Sequence, residues 1–208
     1  MTNILIHGLG QNETSWNEVK NQLTDNKIKV ETPNLFYIAK NNQINYENMY
    51  KKFEDYCNTF HEKINLIGLS LGGILAIDYT TKFPEKVNSI VLIGVPYEIP
   101  KTLFTIQNII YKFMPKKLFE KIGCSKKDMI GLSKSMCNLS IPEKSKNVKC
   151  SALIICGEKD NTNMKSAKQL NNVIKNSKFK VIENAGHEVN RDNPKELANI
   201  ICNFWKEI

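Results

Sequence analysis

The sequence predicts an α/β fold: a three-layer sandwich in which a mostly parallel sheet is covered by helices on both faces, with a helical cap inserted after the fourth strand. Three observations carry that expectation. Short apolar runs rich in β-branched residues recur along the chain, segments with helical spacing lie between them, and one connection, Pro96 to Asn147, is far longer than an ordinary loop.

The strand candidates are Ile4 to Ile6, Ile28 to Val30, Ile64 to Ile67, Ile90 to Ile93, Ala152 to Cys156 and Phe179 to Ile182. Most are continuous apolar runs and not alternations, the pattern of strands buried on both faces, which a parallel sheet requires. Trp16, Val19 and Leu23 take helical spacing behind Thr14, a candidate cap, and Tyr46, Met49, Phe53, Tyr56 and Phe60 form a second stripe. Further helices are expected over Ile74 to Phe83, stopped by Pro84, over Met164 to Ile174, and over Leu197 to Trp205, opened by Pro194. Strand and helix thus alternate, with right-handed crossovers. In the long connection, Leu103, Phe104, Ile106, Ile109, Ile110, Phe113, Leu118, Phe119, Ile122, Met129, Ile130, Leu132 and Met136 give two or three amphipathic helices broken near Pro115 and Gly123. The cap is therefore placed at about residues 97–147 of a single 208-residue domain.

Composition narrows the function classes. With 41% hydrophobic and 24% charged residues the chain is an ordinary globular one. No apolar run approaches the roughly 18 residues of a membrane span, and the strand-like Asn3 to Ile6 directly behind Met1 leaves no room for a leader, so a cytoplasmic chain is expected. Cys57, Cys124, Cys137, Cys150, Cys156 and Cys202 show neither a C-x-x-C pair nor metal-ligand spacing, and read as free thiols in a reducing compartment, with Cys156 on a strand and Cys202 on the apolar face of a helix expected in the core. The net charge of +8 rests almost wholly on lysine, Arg191 being the only arginine. Nucleic-acid readers lean on arginine forks, so no nucleic-acid partner is expected. The surplus is local: Glu98 to Lys149 holds eleven lysines against four acids.

The chemistry concentrates in Gly68-Leu69-Ser70-Leu71-Gly72-Gly73, which follows one strand and opens a helix. A strand-to-helix elbow strains the serine backbone and exposes its hydroxyl. Gly68 and Gly72 stand where side chains would strike the neighbouring strand and helix. A hydroxyl nucleophile needs a base. Of His7, His61 and His187, only His187, in Asn184-Ala185-Gly186-His187 behind the last strand, can project from the same carboxyl edge of the sheet; His61 precedes a strand. A carboxylate must orient that base. Asp160, in Gly157-Glu158-Lys159-Asp160 behind the fifth strand, is the first choice, and Glu98, behind the fourth, is the alternative. For the oxyanion hole, Leu71 supplies the backbone N–H after the nucleophile and Leu9, in His7-Gly8-Leu9-Gly10, the second, with His7 bracing that loop.

These segments resemble the α/β-hydrolase fold superfamily, its compact carboxylesterase-like branch in particular. His7 to Gly10 is similar to the family's oxyanion loop, Gly68 to Gly73 to its nucleophile elbow, Gly157 to Asp160 to its acid loop, Gly186-His187 to its histidine loop, and Phe83 to Val87 to its usual connection. The antiparallel hairpin with which many members begin is absent, and the resemblance then implies six strands in the order 2-1-3-4-5-6. It also implies no metal and no organic cofactor. The expected activity is cleavage of small to medium acyl esters or thioesters through an acyl-enzyme at Ser70, with an anionic substrate or acyl carrier admitted by the basic cap. The same fold and triad also serve ligand-binding receptors and carbon–carbon hydrolases, which the sequence does not separate. Dehalogenase or epoxide hydrolase chemistry is disfavoured, because those relatives carry Asp where Ser70 stands. Oligomeric state is not legible.

Overall fold

The computed structural model describes residues 1–40, 42–99 and 111–208. Six strands form one sheet in the order β2-β1-β3-β4-β5-β6: β1 (Thr2–Ile6), β2 (Val30–Glu31), β3 (Ile64–Leu69), β4 (Val87–Ile93), β5 (Ser151–Gly157) and β6 (Ser177–Ile182). Every adjacent pair is parallel.

Alternate residues of each strand feed two separate cores, which is why the runs read as continuously apolar. Ile4, Ile6, Leu66, Ile90, Leu92 and Ile154 face one side. There they meet α2 (Leu35–Ile38), α3 (Tyr46–Cys57), α4 (Leu71–Lys82) and α8 (Asn161–Val173) through Leu35, Phe53, Ile74 and Leu170. Leu5, Ile67, Val91, Leu153 and Ile155 face the other, against Trp16 and against Val19 and Leu23 of α1 (Asn17–Asp25) and Leu197 and Ile201 of α10 (Pro194–Lys206). The edge strand β6 departs from the continuous pattern: it is partly exposed from Ser177 to Val181 and only Ile182 is fully buried.

Between β4 and β5 lie α5 (Lys116–Glu120), α6 (Lys126–Met136) and α7 (Ile141–Ser145). The expected breaks are real. Pro115 caps α5, and Gly123 turns the chain at φ +86°. The expected helical residues Leu103, Phe104, Ile106, Ile109 and Ile110 lie outside the described residues. On α4, Asp78 is buried and accepts hydrogen bonds from Tyr46 Oη at 2.9 Å and from Lys144 Nζ of α7 at 2.7 Å, tying the end of the insertion to the helix that follows Ser70.

Three local expectations need correction. Thr14 does not cap a helix. Asn12 does, accepting from the Thr14 N–H at 3.1 Å to start a 3₁₀ turn that runs into α1. The second strand is not Ile28 to Val30 but Val30–Glu31, because Lys27 adopts φ +62° and the Ile28 N–H is tied back to Leu23 O at 3.1 Å, at the end of α1. Cys202, expected in the core, is only partly buried, whereas Cys156 is fully so.

At the amino edge of the sheet a polar row crosses the strands. Asn3, Asn65 and Ser89 are register partners on β1, β3 and β4. Asn65 Nδ2 donates to Asn3 Oδ1 at 2.8 Å, and Asn65 Oδ1 accepts from Ser89 Oγ at 2.7 Å and from Asn88 Nδ2 at 2.9 Å. Asn65→Leu would remove all three of these hydrogen bonds. Urea unfolding should show a loss of about 2–4 kcal/mol, and an unchanged midpoint would show that the row is energetically idle.

Candidate active site

Ser70 occupies the turn between β3 and α4 at φ +51°, ψ −112°, a conformation that costs a non-glycine residue about 1–3 kcal/mol. Its surroundings enforce it. A Cβ on Gly68 would lie 2.3 Å from the Gly72 carbonyl carbon, and a Cβ on Gly72 2.2 Å from Ile6 O of β1, so α4 approaches β1 as only glycine allows. The Ser70 N–H donates to Ile93 O at 2.8 Å, which seats the elbow against the end of β4.

His187 and Asp160 meet above the next residue of that strand. His187 Nδ1 lies 2.8 Å from Asp160 Oδ2, with the carboxylate 4% exposed and the imidazole 40% exposed. Asp160 caps α8, accepting from the Asn163 N–H at 3.2 Å, and Asn163 Nδ2 lies 3.0 Å from both carboxylate oxygens. Burial raises the Asp160 carboxyl, but hydrogen bonds from His187 and Asn163 outweigh it and hold the group below its ordinary value. The carboxylate is thereby an acceptor that keeps the Nδ1 proton and leaves Nε2 as the free nitrogen. Glu98, the alternative carboxylate, lies on the surface and is not the partner.

The two loops bearing these residues are locked together. Lys159 N–H donates to Ala185 O at 2.8 Å, Asn184 N–H to Glu158 Oε2 at 3.0 Å, and Gly157 passes so close to the histidine loop that a Cβ would stand 2.1 Å from Gly186 O. The imidazole lies over Gly94, the first residue after β4, where a Cβ would fall 2.9 Å from Nδ1. Ser70 and His187 therefore flank the same two residues, Ile93 and Gly94, although Ser70 Oγ and the imidazole are not hydrogen-bonded in this structure.

On the other side of Ser70 runs the loop His7 to Gly10, where a Cβ on Gly8 would stand 3.6 Å from Ser70 Cβ. Among the described residues neither the Leu9 nor the Leu71 N–H is engaged in a hydrogen bond. His7 braces this loop as expected: its Nε2 accepts from the Leu35 N–H at 3.0 Å, so Nδ1 carries the proton and donates to Gly8 O at 2.9 Å. Burial depresses its pKa to about 4.

Sequence reasoning missed four participants. Gly94 and Asn163 had local signals: a glycine directly after a strand beside the elbow, and an Asp-x-x-Asn helix start. Gln11 and Asn190 had none. These two buried amides exchange hydrogen bonds of 3.4 and 3.3 Å, and Gln11 Oε1 also accepts from the Gly8 N–H at 3.4 Å and Ser15 Oγ at 3.1 Å. They join the loop beside Ser70 to α9 (Val189–Asp192), the turn just behind His187. Among the described residues no cluster of three or more His, Cys, Asp or Glu side chains is placed to hold a metal ion, and no helix is long and apolar enough to cross a membrane.

Comparison with known proteins agrees with this fold. Residues 4–120 match the family model described as alpha/beta hydrolase fold. A Bacillus subtilis protein provisionally named 2-succinyl-6-hydroxy-2,4-cyclohexadiene-1-carboxylate synthase is 22% identical over 250 aligned positions, spanning 99% of this chain and 90% of its own. Among solved structures, an esterase from Exiguobacterium antarcticum superposes with a TM-score of 0.83 at 15% identity, covering 99% of this chain and 92% of its own. A thermophilic esterase from Thermogutta terrifontis gives 0.81 at 16% identity, covering 100% and 90%.

The neutral, buried His7 sets a pH dependence. Its folded pKa of about 4 lies below the ordinary 6.5, so the stability it contributes is complete above about pH 6.5 and is lost as pH falls toward 4, amounting to about 3 kcal/mol at the acid end. In urea unfolding at a series of pH values, His7→Gln should flatten the decline across that window relative to wild type; parallel curves would show that His7 charges freely in the folded state.

Proposed function

The chain belongs to the α/β hydrolase fold family, and on that premise we propose that it is a serine hydrolase of small to medium acyl esters or thioesters, with Ser70 as nucleophile, His187 as general base and Asp160 as its orienting carboxylate. The observation that carries this reading is the half-exposed His187 held by the buried Asp160 carboxylate and packed over Gly94 beside the strained Ser70 elbow.

The steps follow from the groups at hand. Ser70 Oγ attacks the substrate carbonyl as its proton passes to His187 Nε2, and the imidazolium is stabilised by the Asp160 carboxylate. The oxyanion is received by the Leu9 and Leu71 N–H groups, which have no competing partner among the described residues. His187 then protonates the leaving group, and water, activated by the same imidazole, releases the acid. The hydrogen bond between Ser70 and His187 closes when substrate binds, as such contacts tighten in the Michaelis complex. No metal or cofactor enters these steps.

A second reading has one observation in its favour. The Bacillus subtilis relative aligned along nearly the whole chain is named as a synthase of a succinyl-bearing cyclohexadiene carboxylate. The same site would then act on a small carboxylate-bearing ring compound without an acyl-enzyme.

A fluorophosphonate probe should label Ser70, and rapid quench with an activated ester should trap an acyl adduct there. Turnover without that adduct favours the second reading. Ser70→Ala should lower kcat by about six orders of magnitude; near-normal turnover in that variant would end the proposal. Gly94→Ala, which drives a methyl group into the imidazole, should lower kcat by about a hundredfold with a smaller change in KM, and unaltered kinetics would show that the ring does not need its present seat.

A further inference from the structure

Among the described residues large apolar side chains exposed to solvent are few, and two of them, Phe113 at 85% and Leu118 at 44%, stand five residues apart in the insertion between β4 and β5. Their placement is determined by their neighbours. Tyr111 and Phe119 pack edge to face with ring centres 5.7 Å apart, and both are buried, so the chain from Tyr111 to Glu120 turns these two rings inward and leaves Phe113 and Leu118 outward. Lys126 Nζ donates to Lys112 O at 2.7 Å, which brings the start of α6 beside the same segment.

Charge gathers at the same place. From Tyr111 to Ile130 there are six lysines, Lys112, Lys116, Lys117, Lys121, Lys126 and Lys127, against two carboxylates. One carboxylate, Asp128, is spent on capping α6 through Ser125. Beside them a cavity of about 580 Å³ is lined by Lys116, Lys126 and Lys127 against the single acid Glu120, together with Ser125, Cys124 and Ile130. A soluble protein gains nothing by presenting a bare phenyl ring to water. An isolated ring and a leucine ringed by long, flexible ammonium side chains suit a surface with an apolar interior and an anionic skin. Lysine stems lie along the headgroup layer, the ring enters it, and each lysine near such a surface adds to the attraction.

We propose that the segment from Tyr111 to Ile130 docks reversibly on membranes containing anionic lipid, with Phe113 and Leu118 inserted at the headgroup boundary and the lysines around them held by the lipid phosphates. The contact is peripheral, and it does not depend on which bond the Ser70 site cleaves.

The test is sedimentation of the full chain with phosphatidylcholine vesicles, with and without phosphatidylglycerol, at low and high salt. The protein should sediment with the anionic vesicles only and be released when salt is raised to about 0.5 M. Phe113→Ser/Leu118→Ser and Lys116→Glu/Lys117→Glu should each reduce the bound fraction at least about fivefold, while circular dichroism and turnover of a water-soluble ester stay at wild-type values. Equal binding to neutral vesicles, or no binding to anionic ones, overturns the proposal. So does anionic binding that survives the Phe113/Leu118 change, since charge alone would then explain it. Loss of ester turnover in Ser70→Ala with vesicle binding intact would leave docking standing, whereas turnover retained in Ser70→Ala would remove the reading of the site without touching the membrane contact.

Discussion

The site depends on how closely the first turn of α4 lies against β1. Gly72 meets the carbonyl of Ile6, and Gly68 meets Gly72 in turn, at distances no side chain tolerates. That contact forces Ser70 into the left-handed region, because the chain must reverse from strand to helix within one residue. The unfavourable backbone is over-determined by burial on both sides: the first turn of α4 is packed among residues that are themselves nearly free of solvent. Relaxing the elbow would mean separating a helix from a sheet, and the strain therefore persists in the native state.

Around that fixed point the polar groups are sorted by access to water. The carboxylate of Asp160 is enclosed and satisfied by two donors, and the imidazole it faces is open to solvent on its far side. Two histidines, His7 and His187, stand at the carboxyl edge of the sheet and have opposite natures. His7 is sealed, neutral and engaged at both nitrogens, a strut for the loop beside Ser70. His187 has one nitrogen committed and the other free. Burial and the engagement of both nitrogens fix the first ring, while the second keeps a nitrogen open to water.

Much of this was legible in the residues because it is local. The glycines at Gly68 and Gly72, the apolar runs and the loops behind strand ends are written within a few positions of one another, and the order of the sheet follows from the family likeness. The six strands were found at the right places, apart from β2, where the helix-ending turn at Lys27 claimed Ile28. What escaped is what depends on distance through space. Gly94 matters only because an imidazole from residue 187 lies on it, and Asn163 because its amide reaches a carboxylate that also serves another loop. Gln11 and Asn190 are ordinary polar residues in sequence and become informative only when seen buried and paired. The asparagine row at the other edge of the sheet was hidden likewise, since Asn3, Asn65 and Ser89 are neighbours by register and not by position.

The amide pair between Gln11 and Asn190 spans 179 positions. Closing so wide a span is entropically costly, and it comes late in any folding process that starts from nearby contacts. The elbow at Ser70 can be built from β3 and α4 alone, and β1 needs only to slide in beside it. The His187 loop cannot: it is seated by α9 and α10, the last helices in chain order. On the proposed mechanism, a chain emerging from the ribosome carries the Ser70 hydroxyl long before its proposed base is in place, and the nascent protein stays chemically silent until those helices have docked.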